Sequence, residues 1–358
     1  MERLAGGHRG TAVKESSRQL VLGGDVGGTH TTLALAWVAG RRVRLAASFR
    51  YSTRTLSDLA LPLREVAAHA RERFGRPVER AALGLAGPLQ GKILQLTNAP
   101  LQVNPSSLKR RVGLRSLRLI NDFAAIGYGI NCLPRSDLLE MPPRSAATRE
   151  DRRATRAIIG AGTGLGKSIL IYDDHLSLYI PHPSEGGHVD FPATLPWERD
   201  LVDFIRRRHR DRKAVSYEDL LSGRGLERIY QFLREKNIAL ETPFSRRIDR
   251  AREKAPLISR YSRQDETCRE TFRLFLEILA KCARNFALDT LALGGIYLAG
   301  GILAKNLSHL EPELFRNHFE DNDRHLEILQ GIPIRVVTNY DVSLYGAALA
   351  ATLCGQKR

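Results

Sequence analysis

Short apolar runs alternate with amphipathic segments along most of the chain. From residue 19 the pattern gives a strand, a glycine-rich turn, two further strands, and then helices that alternate with strands. Gly75 follows one helical segment as a stop signal, and Asn104 stands where a helix N-cap is expected. This alternation predicts an α/β protein. The elements predicted in this part are strands at 43–51, 81–85 and 116–120 and helices at 57–74, 105–112 and 123–133.

The same order restarts in the second half of the chain. Residues 134–156 break the pattern with three prolines and a charged run, which predicts an exposed linker or loop. A strand, a glycine-rich turn and another strand then follow again. This coarse internal repeat predicts two related βββαβα domains. The later predicted elements are helices near 197–210, 216–221, 226–236 and 267–290, strands at 296–299 and 335–338, and a last helix at 343–353.

Length and composition suit two domains with separate cores, because the chain has 358 residues, of which 43% are hydrophobic. We expect a small α/β domain formed by 19–133 with 341–358, and a large α/β domain formed by 134–340. Residues 1–18 are polar and basic and lack the apolar core of a secretory signal, so a flexible tail is expected there. The sequence contains no run of about 18 apolar residues, so no membrane span is predicted.

The net charge of +16 bears on which partners the protein could bind. A nucleic acid, an acidic membrane surface or a polyanionic substrate would each favour such a charge. The basic residues are spread out and interleaved with acidic ones, and no aromatic platform for stacking bases accompanies them. Solvated helix faces are therefore favoured, and no nucleic-acid partner is expected. The four cysteines show no C-x-x-C spacing, which indicates reduced thiols rather than zinc or disulfides.

Two glycine-rich turns carry the first candidate chemistry. Residues 23–29 read Gly-Gly-Asp-Val-Gly-Gly-Thr and residues 160–166 read Gly-Ala-Gly-Thr-Gly-Leu-Gly, each between two apolar strands. Successive backbone N–H groups in such turns form an anion-binding concavity, and glycine allows close approach and positive φ. Two of them predict two lobes that act on one polyphosphate. Residues 161–168 nearly match a phosphate loop, but a strand rather than a helix follows, so a β-hairpin is favoured.

Two aspartates follow predicted strands. Asp25 lies beside the first glycine turn, where a carboxylate can hold Mg²⁺ that bridges phosphates; the alternative is an aspartate that bonds its own turn. Asp122 ends an apolar strand and precedes a helix. A carboxylate there can accept a proton from a substrate hydroxyl, or it can act as a helix N-cap, and the local sequence leaves both open.

A third candidate is a loop in which Glu185 and His188 flank two glycines. The carboxylate accepts hydrogen bonds and the imidazole donates or accepts them, which suits vicinal sugar hydroxyls. The alternative is a loop histidine whose ring is satisfied locally. One histidine without a partner at metal spacing does not predict zinc.

Seven segments occur in the order of a known family. They cover roughly residues 20–353, and the set is far more specific than any single glycine turn. The chain resembles the bacterial glucokinases of the hexokinase/actin-like ATPase superfamily, in the branch without the cysteine-rich zinc motif. The segments are residues 24–29, 96–98, 120–123, 160–166, 185–191, 215–223 and 298–302.

The resemblance implies a two-lobed actin-like ATPase (ribonuclease H-like) fold whose domains flank a cleft. It implies that Asp122 takes the proton from the 6-hydroxyl of glucose, and that ATP with Mg²⁺ is the phosphoryl donor. It further implies a cytoplasmic enzyme of the first step of glycolysis and a homodimer. The implied sugar-binding residues are Asn121, Asp122, Glu185, His188 and Glu218.

The resemblance also implies the nucleotide site. Asp25 would position the metal, and the two glycine turns would hold the phosphates. The segment after residue 299 would lie against adenosine. The implied residues are Gly24, Asp25, Gly27, Gly28, Thr29, Gly162, Thr163, Gly164, Gly300 and Gly301.

Three residues depart from the family pattern. His30 replaces a usual Asn, Thr32 replaces a common Arg, and Ser184 replaces a usual Gly. These changes leave the implied catalytic residues in place. The sequence leaves open a kinase for another hexose, or one that uses polyphosphate. A sugar-sensing DNA-binding regulator is disfavoured, because the residues before 19 are too few for a helix-turn-helix domain.

Overall fold

The computed structural model describes residues 18–87, 94–95, 101–141, 153–209, 213–236 and 241–353. Within them the chain forms two compact units. The first comprises the described residues of Met1–Asp137, Leu170–Pro183 and Asn339–Arg358. The second comprises those of Leu138–Ile169 and Ser184–Thr338. Residues 1–17 of the expected tail at 1–18 and the segment 96–98 lie outside the described residues.

The elements of the first part of the chain follow the predicted order, and several short helices between residues 243 and 331 were not predicted. The strands are β1 (Gln19–Val26), β2 (His30–Ala39), β3 (Arg42–Ser52), β4 (Arg80–Leu85), β5 (Leu94–Gln95), β6 (Gln102–Val103), β7 (Ser116–Asn121), β8 (Leu138–Met141), β9 (Arg156–Ala161), β10 (Leu165–Asp173), β11 (Leu178–Ser184), β12 (Ile296–Ala299) and β13 (Ile334–Val337). The helices are α1 (Ala60–Phe74), α2 (Pro105–Val112), α3 (Asp122–Ile130), α4 (Pro196–Arg208), α5 (Tyr217–Leu220), α6 (Gly223–Glu235), α7 (Pro243–Arg250), α8 (Ala255–Tyr261), α9 (Glu266–Thr290), α10 (Gly301–Lys305), α11 (Pro312–Glu320), α12 (Leu326–Gly331) and α13 (Val342–Thr352).

The first unit is built on a five-stranded sheet with the order β3-β2-β1-β4-β7. Strand β1 is antiparallel to β2 and parallel to β4, which is in turn parallel to β7. Alternate residues of β1 enter cores on opposite faces of the sheet: Leu22 packs with Leu63 of α1, whereas Val21 packs with Leu344 of α13. Both faces are covered, which explains why residues 20–24 of β1 are all buried.

A six-stranded sheet repeats this topology with one strand added. Its order is β11-β10-β9-β12-β13-β8, so its first five strands follow the same 3-2-1-4-5 order as the five-stranded sheet. Strands β9, β12, β13 and β8 lie in the second unit. Helix α9 supplies much of the core through fully buried residues such as Phe275 and Ile278. The predicted repeat of two related βββαβα halves therefore corresponds to two sheets of the same strand order.

Strand β8 corrects the prediction of an exposed linker over 134–156. Leu138–Met141 pairs antiparallel with β13, and Met141 is 3% exposed. Arg316 donates from Nη2 to the Met141 carbonyl oxygen at 2.7 Å. This pairing joins residues almost 200 positions apart, so the local composition did not reveal it; residues 142–152 lie outside the described part of the chain.

Residues 170–183 also differ from the sequence-based division, which assigned them to the large domain. In the structure they belong to the first unit, because they pack on α3 and its end. The Asn131 side chain exchanges two hydrogen bonds with the backbone of Tyr179, at 2.9 and 2.8 Å. A Cβ on Gly127 would lie 2.6 Å from Pro181, so the glycine admits this close approach.

Local signals at helix ends are confirmed. The Asn104 side chain accepts from the Ser107 N–H at 3.0 Å at the start of α2. Gly75 ends α1 in the left-handed region with φ +62°. Within the described ranges, no helix is both long and apolar enough to span a membrane.

Candidate active site

Three parallel strands of the first unit end side by side. Val26 of β1 is in register with Leu85 of β4, and Leu85 is in register with Asn121 of β7. Neighbouring strands lie about 4.8 Å apart, so the backbones at Asp25 and Asn121 are separated by roughly 10 Å. The carboxyl ends of such strands are where α/β proteins bind ligands. Asp25 and Asp122 therefore reach the same edge of one sheet.

Asp25 is a largely buried carboxylate. Ser343, in the first turn of α13, donates from Oγ to Asp25 Oδ2 at 2.6 Å. Burial raises the pKa of the Asp25 carboxyl above its ordinary value, and the hydrogen bond from Ser343 opposes that rise. A buried carboxylate fits a divalent cation, which would stabilise its ionised form. Sequence reasoning missed Ser343; its signal was an isolated serine at the start of an apolar helix.

The first glycine turn exposes its tip. The Gly27 N–H donates to the His30 carbonyl oxygen at 3.0 Å, and Thr29 and His30 are exposed. Gly24 has a different environment, because a Cβ there would lie 2.5 Å from Leu83 and 2.8 Å from Leu33. Core packing alone accounts for glycine at position 24.

The structure shows which of the neighbours Asn121 and Asp122 caps the helix that follows β7. Asn121 is the N-cap of α3, and its Oδ1 accepts from the N–H groups of Phe123 at 2.9 Å and Ala124 at 3.2 Å. Asp122 is the first residue of the helix, and its Oδ1 accepts from the Phe123 N–H at 3.0 Å. The capping residue is therefore Asn121. The Asp122 carboxylate lies at the helix N-terminus, where the backbone dipoles stabilise negative charge.

The second glycine turn connects β9 to β10. Gly162 donates from its N–H to the Gly164 carbonyl oxygen at 2.8 Å, and its own carbonyl oxygen accepts from the Gly223 N–H at 2.9 Å. A Cβ on Gly162 would meet no atom within 4 Å, and Thr163 is exposed. The turn thus presents its backbone beside the start of α6. It opens a strand rather than a helix, so it is not a phosphate loop.

Gly300 brings the third glycine segment against the second turn. Strands β12 and β9 are parallel, with Ala299 in register with Gly160. Gly300 follows with φ +94°, and a Cβ there would overlap the Ala161 carbonyl oxygen. Only glycine suits both constraints. The nucleotide candidates at 162–164 and at Gly300 and Gly301 are therefore neighbours in the second unit.

Glu218 lies beside the second glycine turn. Its Oε2 accepts from the Leu165 N–H at 3.1 Å. A Cβ on Gly164 would lie 2.7 Å from the same oxygen, so glycine at 164 makes room for the carboxylate. The residue that the resemblance assigns to the sugar is thereby fixed to the end of the turn assigned to phosphates.

The Glu185–His188 loop packs against the end of the second glycine turn, at the start of β10. Gly186–His188 form a short 3-10 turn in which the His188 N–H donates to the Glu185 carbonyl oxygen at 2.9 Å. A Cβ on Gly187 would overlap the Leu165 carbonyl oxygen, so the loop packs directly on the start of β10. The Glu185 and His188 side chains are exposed, with Nε2 and Oε2 3.8 Å apart.

A backbone contact joins this loop to Glu218. The Tyr217 N–H donates to the Val189 carbonyl oxygen at 3.0 Å, one residue from each candidate. The second unit therefore brings together Glu185, His188 and Glu218 around Leu165. The first unit brings together Asp25, the turn at 27–29, Asn121 and Asp122.

The chain is similar to known proteins over most of its length. A family model described as Glucokinase matches residues 22–353. A glucokinase of Trichormus variabilis is 34% identical over 346 residues, which cover 93% of this chain and 98% of that protein. The chain belongs to the glucokinase family. A glucokinase of Synechocystis is 32% identical over 350 residues, with 92% and 97% covered.

Structural comparison supports the same glucokinase assignment. The crystal structure of a glucokinase from an Antarctic psychrotroph matches with a TM-score of 0.76 and 26% identity, covering 93% of this chain and 99% of that one. A glucokinase structure from Balamuthia mandrillaris has the same fold, with a TM-score of 0.76 at 24% identity. The predicted class, an α/β protein with the two-domain actin-like ATPase fold, is confirmed.

Proposed function

We propose that this protein transfers the γ-phosphoryl group of ATP to the 6-hydroxyl of D-glucose. The observation that carries the proposal is the pairing of Asn121 as helix cap with Asp122 as the adjacent carboxylate at the end of β7. Because Asn121 already caps α3, the Asp122 carboxylate is not required as the cap. Family membership supports glucose as the sugar.

Asp122 acts as general base in this proposal. Its carboxylate accepts the proton of the 6-hydroxyl as the oxygen attacks phosphorus, which is the role that an aspartate has in other phosphoryl transfers. The helix N-terminus stabilises the ionised carboxylate before the transfer. The transition state is loose, so positioning and charge stabilisation supply most of the rate.

The remaining candidate residues bind and orient the sugar and the nucleotide. The Asn121 amide nitrogen donates to the sugar, while Glu185, His188 and Glu218 bind its other hydroxyls. Backbone N–H groups of the turns at 27–29 and 162–164 bind phosphate oxygens, and the segment at Gly300 and Gly301 lies against adenosine. Mg²⁺ held near Asp25 would neutralise charge on the phosphates when bound.

Under this proposal the enzyme acts in the cytoplasm at the first step of glycolysis. We also expect a homodimer, as the family resemblance implies. Sedimentation equilibrium of the purified protein measures the mass, and a monomer over the whole concentration range would contradict that part.

The test is product formation with defined sugars and donors. The purified protein is incubated with Mg²⁺ and either ATP or polyphosphate, and with glucose, mannose, fructose or N-acetylglucosamine in turn. We expect ATP- and glucose-dependent ADP release with stoichiometric glucose 6-phosphate. Faster turnover with another sugar, or with polyphosphate, would overturn the stated substrate, and a folded protein that turns over none of them would overturn the kinase activity.

A further inference from the structure

Lys167 is a buried lysine whose ammonium group lies against two aromatic rings. It is the third residue of β10 and is 4% exposed. Its Nζ lies 5.1 Å from the ring centroid of Tyr217 and 4.9 Å from that of Phe286. Within the described residues, no carboxylate oxygen comes within 4 Å of this nitrogen. An unpaired buried ammonium is costly, and two aromatic faces offset only part of that cost.

A further neighbour of the ammonium is the Cys282 thiol, with which it forms a hydrogen bond. Burial raises the pKa of Cys282 to about 11, and the nearby Lys167 opposes that rise. The thiol therefore stays protonated and neutral at physiological pH. Charge neutralisation inside the core does not explain Lys167.

Lys281 shows how this chain accommodates a buried lysine that holds the fold together. Its Nζ lies 2.6 and 2.7 Å from the two carboxylate oxygens of Glu198 and 2.7 Å from the Thr194 hydroxyl. That ammonium is neutralised and hydrogen-bonded. Lys167 lacks this arrangement, so an apolar side chain of similar length, such as Met, would be less costly at 167.

The position of Lys167 indicates what its charge is for. A Cβ on Gly186 would lie 3.0 Å from Lys167 Cδ and 3.6 Å from Nζ, so the lysine packs directly beneath the Glu185–His188 loop. Tyr217, on whose ring the ammonium lies, is followed by Glu218. Lys167 therefore contacts both segments that carry the candidate sugar ligands.

We propose that Lys167 is a positioning residue for the sugar site, which holds together the two segments that carry Glu185 and Glu218. This inference rests on the proposed function. The Lys167 stem packs under Gly186 and its ammonium lies on the Tyr217 ring, so loss of these contacts would shift the two carboxylates relative to each other.

The test compares Lys167→Met and Lys167→Arg with wild type and with Lys281→Met. We expect K167M to be at least as stable as wild type in thermal unfolding, because it removes an unpaired buried charge. Its KM for glucose should rise about 10-fold or more, while its KM for ATP changes less than about 3-fold. K167R keeps the charge and should retain more of the glucose affinity than K167M. K281M should be less stable than wild type, because Glu198 loses its partner.

Glucose binding measured by calorimetry provides a readout that does not depend on turnover. A K167M protein that is less stable than wild type, that keeps the wild-type glucose affinity, or that loses ATP affinity equally, would overturn the inference. Wild-type protein that neither turns over nor binds glucose would instead overturn the proposed function. The two failures are therefore distinguishable.

Discussion

At the scale of single residues, replacing Asn121 should lower stability, whereas replacing Asp122 should lower activity. Asn121 satisfies two backbone N–H groups of α3, so Asn121→Ala should lower the free energy of unfolding by about 1 kcal/mol. Asn121→Ser retains a capping oxygen and should recover most of that loss. Urea denaturation measures both variants, and equal stability of the alanine and serine variants would contradict the capping role.

Asp25 makes stability depend on pH. Its folded-state pKa lies above 3.8, so the folded protein keeps the Asp25 proton at pH values where the unfolded chain has released it. The contribution of this group to stability is therefore full below about pH 4 and falls as the pH rises through the raised pKa. Asp25→Asn should be more stable than wild type at pH 7 without Mg²⁺ and should lose that advantage near pH 3. Thermal unfolding at both values tests this, and an advantage independent of pH would refute it.

At the scale of elements, two glycines of the second unit should respond differently to a methyl group. A Cβ on Gly187 would overlap the Leu165 carbonyl oxygen, whereas a Cβ on Gly162 would meet nothing within 4 Å. Gly187→Ala should therefore cost about 1–3 kcal/mol of stability and raise the KM for glucose. Gly162→Ala should stay within about 0.5 kcal/mol of wild type but raise the KM for ATP, because the methyl group obstructs the approach of phosphates. Denaturation and initial-rate measurements of both variants test this prediction, and equal stabilities of the two variants would contradict it.

The elements also show which features of the fold can be predicted from the sequence. Apolar runs and cap signals predicted β4, β7, β12, the end of α1 and both ends of α2, because those signals are local. Strand β8 was not predicted because it exists only through pairing with β13, far along the chain. The roles of Ser343 and Lys167 were not predicted for a related reason, since they depend on partners that the fold brings to these residues.

At the scale of the whole molecule, the internal repeat was the strongest signal. Two glycine turns between apolar strands predicted two related domains, and both sheets have the same 3-2-1-4-5 strand order. The repeat places each turn at the same point of its own sheet, after the central strands β1 and β9.

The most direct test of the account is the turnover number of Asp122→Asn with ATP, Mg²⁺ and saturating glucose. The control is Asp203→Asn, which removes an exposed carboxylate on α4. Loss of a general base should lower kcat by about 10²–10⁴-fold in D122N, whereas D203N should match wild type. A folded D122N enzyme with wild-type kcat would contradict the central claim that Asp122 takes the proton from the sugar.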